Sequence, residues 1–286
     1  MNKNNRIIIT IVLVCILLFL LSWGGTIRNR NESRTKEISQ EEVQETHAPA
    51  QAKVFMESAE EGVPLTVENR AFLDGLINRF LEGDLEGAAR LLEANPDAFI
   101  TYPCMYLDGE LKQEVTTGNG LVFLKPSIVY YGEFKDGVPD GSCTAISVLS
   151  LEEGKRYDYS YGSWKNGTMN GEGECGYRYY DGVTEDITVA TSKKGQFKED
   201  FMQGEITYSS TNAQGETADW QFQTADGVIV PDDRWVKEQD EKGEVRYKLL
   251  ANGEEDHAYV LSESAIGEER WKNLIVFSQK ERGGYN

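Results

Sequence analysis

The sequence predicts a mainly β protein: stacked β-hairpin repeats in an elongated sheet, preceded by a helical hairpin and an N-terminal transmembrane helix. Three observations carry that prediction. An uninterrupted apolar run opens the chain, a helical hydrophobic period occupies residues 65–97, and a pattern of glycines, aromatics and turn residues then recurs through the middle.

The first element is "IIITIVLVCILLFLLSW", residues 7–23, which contains no charge. At the helical rise it reaches about 26 Å, close to the hydrocarbon thickness of a thin bilayer, with Trp23 at one interface. Residues 1–23 are therefore read as a single-pass membrane anchor. A cleaved signal peptide is the competing reading, since Lys3 and Arg6 make a basic leader and Ser22 and Gly24 are small; the length of the run and the lack of an A-x-A pattern favour the anchor. A lipoprotein signal is disfavoured because Val14 precedes Cys15 where a small residue is needed. Lys3 and Arg6 argue for a cytoplasmic tail, while Arg28, Arg30, Arg34 and Lys36 oppose it. The body is placed on the extracytoplasmic side.

Residues 24–64 are rich in Glu, Gln, Arg and Ser and poor in large apolar side chains. Such a composition cannot bury enough surface to offset the entropy of ordering, so this is a polar tether. Its end-to-end distance is on the order of 35 Å. Net charge is −19 over 286 residues, and because residues 1–36 carry +5, the remainder carries −24. That balance repels nucleic acid and anionic headgroups, so no nucleic-acid partner is expected.

In residues 65–97, Phe72, Leu73, Leu76, Ile77, Phe80 and Leu81 recur at helical spacing, and Leu85, Ala88, Ala89, Leu91 and Leu92 do so again. Thr66 is a fair N-cap, Gly83 and Asp84 break the run, and Asn95-Pro96 ends it. The spacing is similar to one tetratricopeptide unit, but a single unit cannot bury its own faces and is expected to pack on the residues C-terminal to it.

From residue 104 the period changes. "GELKQEVTTGNGLVF" at 109–123 and "GEFKDGVPDGSCTAI" at 132–146 align position for position, 23 residues apart, and further copies begin at Gly162 and Gly195. The opening glycines are Gly109, Gly132, Gly162 and Gly195. Leu111, Phe134, Trp164 and Phe197 align after them, and the closing glycines are Gly118, Gly141, Gly171 and Gly204. Each copy reads as a short strand ending in a large side chain, a polar turn such as Asp-Gly or Asn-Gly, and a second strand starting at glycine. In "YYGEF" the period of two puts Tyr130, Gly132 and Phe134 on one face, so the glycine leaves room for a ring.

The pattern G-[ESQ]-[FWL]-K-x-x-x-x-x-G resembles the MORN repeat over about residues 107–210. The 23-residue period holds between the first two copies; the later steps of 30 and 33 residues imply longer outer hairpins or inserted loops. Cys143 and Ile206 stand where a second glycine is expected, the first copy lacks the Asp-Gly turn, and "DWQFQTADGVIVPDDRW" from Asp219 reads as a decayed further copy. The resemblance implies a stack of hairpins across residues 104–234, used as a scaffold or a protein-binding surface. Tyr130, Phe134, Tyr161, Trp164 and Phe197 are expected in the core, and Tyr131, Tyr159, Tyr177, Tyr179 and Tyr180 on a solvent face that binds an unidentified protein partner, or alternatively a glycan.

The alternative from another class is a wall-polysaccharide-binding repeat, because "YGSWKNGTMNGEGECGYRYYDG" mixes Gly, Trp and Tyr; that reading requires an exposed Trp164. Catalysis is not expected. The chain has two histidines, His47 in the tether and His257 near the end, so no His-based triad or His-rich metal site falls within the repeats, and no cofactor or metal is expected. Outside the span the cysteines are Cys104, Cys143 and Cys175, without C-x-x-C spacing; a Cys143–Cys175 disulfide and buried thiols are both open. Residues 235–286 alternate in "EVRYKLL" and "HAYVL" and read as two or three strands that cap the open end of the stack.

Overall fold

A computed structural model describes residues 65–95 and 102–278, apart from 183, 185, 252, 253 and 269. These fall within one compact unit, Ser58–Asn286. The apolar run at 7–23 and the tether at 24–64 lie outside the described residues; among the described residues no helix is long and apolar enough to cross a membrane.

The helical hairpin forms as its caps dictate. Helix α1 spans Val67–Glu82, with the Thr66 hydroxyl accepting from the Asn69 amide at 3.1 Å. Gly83 turns left-handed at φ 71°, and the amides of Gly83 and Asp84 donate to the carbonyls of Phe80 and Arg79, closing the exposed end. Asp84 then caps α2, Leu85–Ala94, by accepting from the Gly87 amide at 2.8 Å. Phe72, Leu73, Leu76, Phe80, Ala88, Ala89 and Leu92 are buried, whereas Leu81 faces solvent.

The rest is strand. An eleven-stranded antiparallel sheet contains β1 (Cys104–Leu107), β2 (Glu110–Lys112), β3 (Gly118–Lys125), β4 (Ile128–Lys135), β5 (Val138–Ser150), β6 (Gly154–Lys165), β7 (Thr168–Asp181), β8 (Ile187–Lys198), β9 (Phe201–Asn212), β10 (Thr217–Ala225) and β11 (Val228–Val230). From β3 to β11 each strand pairs with the next, and β1 lies between β3 and β2. The connections β4–β5, β6–β7 and β10–β11 are the pairs Asp136-Gly137, Asn166-Gly167 and Asp226-Gly227. All six residues have positive φ, the geometry that matches strand twist. Glu199-Asp200 adopts the same form without a glycine, at φ 51° and 69°. These turns line one rim of the sheet. There the Gly167 amide donates to the Pro139 carbonyl, that of Asp200 to Met169 and that of Gly227 to Met202, so each hairpin is tied to its predecessor.

One sequence expectation changes here. The first copy is not a hairpin of its own: β2 pairs with β1 rather than β3, because the chain turns at Asp108-Gly109 instead of at 113–117. The segment from Asp219 is a structural copy, β10 and β11, with Phe222 where the glycine stood. The steps of 30 and 33 residues are absorbed by longer strands, from 8 residues in β4 to 14 in β7.

One face of the sheet packs on the helices, through Cys104, Tyr106, Leu121, Phe123, Val129, Ile146, Tyr157 and Tyr180. The other face carries Tyr130, Phe134, Trp164, Phe197, Met202, Trp220 and Phe222, and the C-terminal region covers it. Strands β12 (Val236–Gln239), β13 (Val245–Ala251) and β14 (Glu254–Ser262) make a separate three-stranded sheet. It does not cap the open edge at β11. Leu249 and Ala251 are buried in the same core, Tyr259 meets the rings of Trp220 and Phe222, and the Trp220 indole donates to the His257 carbonyl at 2.9 Å. Burial of that aromatic face outweighs edge pairing. Beyond the 3-10 turn Glu263–Ala265, the extended segment Trp271–Phe277 crosses the same face from the β10–β11 turn to β4.

Candidate functional site

The glycines and rings of the repeat meet across neighbouring strands. Gly118 sits opposite Phe134, Gly141 opposite Trp164 and Gly171 opposite Phe197, while Gly204 faces Thr224 in the decayed copy. A second row runs Gly120, Gly132, Cys143, Gly162, Gly173, Gly195 and Ile206, each paired with the next. At Gly132, φ is 146° and a Cβ would lie 2.7 Å from the Cys143 Cα, so no larger residue fits. Cys143 and Ile206 are tolerated because their side chains enter the buried face under the C-terminal region. Leu111 is the exception among the aligned large residues: it faces the helices, as the altered pairing of the first copy requires. Gly109 likewise serves the β1–β2 turn rather than a repeat position.

Trp164 is 3% exposed and its indole donates to the Cys143 carbonyl at 3.0 Å. A sugar-stacking role for it is thereby removed.

The five tyrosines expected on one solvent face are divided. Tyr131, Tyr159 and Tyr180 lie on the helix-covered side: Tyr159 and Tyr180 are buried, Tyr131 stacks on Phe80 at 5.7 Å, and Arg90 lies over Tyr180 at 5.0 Å. Tyr177 and Tyr179 point to the opposite side. Register explains the split, since Tyr159 pairs with Gly176 and the next residue along β7 must face away. Tyr177 lies beneath the Arg156 guanidinium at 4.1 Å, and Arg156 holds Asp158 at 2.6 Å. Burial pushes the Asp158 carboxyl above its usual range, against the pull of Arg156.

Tyr161, expected in the core, is instead 37% exposed, the aromatic side chain most open to solvent among the described residues. Its ring stacks on Tyr159 at 6.2 Å, and both hydroxyls donate to the Glu174 carboxylate, that of Tyr159 at 3.1 Å. Burial, reinforced by Glu174, drives both phenols well above their ordinary range. Between these rings, Arg178 and the Gly83–Glu86 turn of the helical hairpin lies a cleft of about 290 Å³. The alternation Tyr157, Tyr159, Tyr161 on one strand was the signal for it. Glu174 and Arg178 had none, because their meeting depends on the β6–β7 register. The cleft offers an aromatic wall, a carboxylate occupied by two phenols, and a guanidinium, a set suited to recognition of a polar side chain.

Cys104, Cys143 and Cys175 are buried free thiols. Cys143 on β5 and Cys175 on β7 are separated by β6, roughly 9–10 Å at the usual strand spacing, beyond disulfide reach. Burial pushes the Cys175 thiol up to about 11 and that of Cys104 to about 12. Among the described residues no group of three or more His, Cys, Asp or Glu could hold a metal ion.

No curated protein matches the chain. The MORN repeat family model matches residues 130–147 and 161–182, so the likeness to that repeat is carried by the β4–β5 and β6–β7 hairpins, where the glycine–ring pairs and the Asp-Gly and Asn-Gly turns are most complete.

Proposed function

We propose that this chain is a non-catalytic binding or scaffolding protein, held at a membrane by residues 7–23 with its body on the extracytoplasmic side. A protein partner engages the cleft between the helical hairpin turn and Tyr159, Tyr161, Glu174 and Arg178. The observation that supports this reading is the solvent-facing Tyr161, stacked on the buried Tyr159 and tied with it to Glu174, on a sheet whose other large rings are mostly covered. Rigid aromatic side chains with few rotatable bonds are the usual anchors of protein interfaces.

Capture from detergent-solubilised membranes tests it, with the full chain compared to Tyr161→Ala and Glu174→Gln. A protein retained by the parent and lost on the order of tenfold or more from Tyr161→Ala is the expected result. Equal retention by all three sinks the assignment of the cleft. Protease added to intact cells tests the orientation separately: digestion of the body from outside is expected, and protection that disappears on lysis places it in the cytosol.

A further inference from the structure

The segment Trp271–Phe277 sits on the sheet as a ligand sits in a groove. Apart from a bend at Leu274–Ile275 it has no regular structure, and side chains alternate: Trp271, Asn273, Ile275 and Phe277 are buried, Leu274 is half-buried, and Lys272 and Val276 face solvent. It joins no strand ladder beyond one bridge between Phe201 and Lys272. Its backbone runs along the rim of turns: the Trp271 amide donates to the Gly227 carbonyl at 2.7 Å and the Asn273 amide to the Asp200 carbonyl at 2.8 Å, with Met202 returning a bond to the Trp271 carbonyl.

Asn273 fixes the register. Its side chain is fully buried, donates to Asp200 Oδ1 at 2.9 Å and to the Ile275 carbonyl at 2.8 Å, and accepts from the Ser160 hydroxyl and the Ile275 amide. Further along, the Tyr130 hydroxyl donates to the Ile275 carbonyl at 3.2 Å, and Phe277 packs edge-on against the Tyr130 ring at 5.2 Å. A one-residue slip would turn every inward group to solvent.

We propose that Trp271–Phe277 is an exchangeable arm, and that its groove accepts the same segment from a second copy of the chain, giving a dimer by reciprocal exchange. The linker permits it. Glu263, Ser264, Gly267 and Glu268 are exposed, and Gly267 turns at φ 86° with open space where a Cβ would stand. An unrelated peptide would have to displace an arm tethered at millimolar-scale effective concentration. Exchange between two copies keeps every arm–groove contact, leaving only the linker conformation and the loss of free motion to set the equilibrium. This proposal is independent of the tyrosine cleft.

The test uses the full chain in detergent. Tagged and untagged copies are mixed at high concentration, with Phe277 of the untagged copy replaced by a photoreactive phenylalanine analogue. The expected product links that position to the Tyr130–Phe134 segment of the tagged copy. Gly267→Val disfavours the left-handed linker by an amount worth about tenfold in each copy, and exchange relieves both linkers, so it raises the yield of that product by up to about a hundredfold while the dimer is the minor species. Links confined to one chain in both backgrounds overturn the proposal, as does a mixed dimer whose links map outside the groove.

Discussion

The two faces of the sheet are both buried, yet by opposite means. On one, a pair of capped helices lays down Leu73, Leu76, Phe80 and Leu92 in apolar contact. On the other, an extended segment with little regular structure adds a buried amide, Asn273, bonded to three parts of the chain. A helical cover is specified by local periodicity and local caps. An extended cover has neither, so its register has to come from side-chain hydrogen bonds, and those are costly to lose once water is excluded.

The largest expected effect is on the arm side. Trp271→Ala empties a site among Tyr208, Phe222 and Tyr259 and should cost about 3–5 kcal/mol, read from urea unfolding. Leu76→Ala on the helical side should cost about 2–5 kcal/mol. If the faces are independent layers, the double variant loses the sum within roughly 0.5 kcal/mol; a larger deviation would show that the sheet couples them. Next, Asn273→Ala should cost about 2–3 kcal/mol, because the Ser160 hydroxyl is left buried without its acceptor.

Gly132→Ala should cost more than about 1 kcal/mol, since φ of 146° and the nearby Cys143 backbone both oppose a side chain. A neutral result there would mean that the irregular β4–β5 pairing between Gly132 and Phe134 relaxes. The smallest effect concerns Asp200. Burial raises its carboxyl above the ordinary value in the folded chain, although Asn273 and the Met169 amide pull the other way. The folded state therefore holds the proton longer than the unfolded one. This group's contribution is fully present below the unfolded value and is lost as pH rises through the raised folded value. Asp200→Asn keeps an acceptor oxygen, tolerates the positive φ, and should gain on the parent as pH rises from about 4 to 7. A constant difference across that range would place the slope elsewhere.

Much of the helix-covered half was legible beforehand. Thr66, Gly83, Asp84 and Asn95 punctuate the hairpin as propensity demands, and the Asp-Gly and Asn-Gly pairs fall at turns. What escaped was information held between distant strands. "ELKQEV" looked like the other copies, but an Asp-Gly two residues earlier captured the turn. The tyrosine row failed because parity along β6 and β7 is related by register, not by sequence spacing. "RWKNLIVF" lies in the tail that reads as two or three capping strands; its partner, a row of turns and rings instead of a neighbouring strand, left no mark on the segment itself.

The arm has one consequence in time. The Tyr130 hydroxyl bonds a carbonyl 145 residues later, whereas every hairpin pairs with its immediate neighbour. On a translating ribosome the sheet can therefore zip as it emerges, but its ring-bearing face stays open until residues 271–277 are made. From Asp181, the end of β7, to Phe277 that interval is on the order of 5–20 s at usual elongation rates. Nascent chains arrested before Trp271 should recruit a holdase chaperone more strongly than chains arrested well after Phe277, and equal recruitment would show that the face closes by another route. The late synthesis of residues 271–277 relative to the sheet thus decides how long its ring-bearing face needs a chaperone.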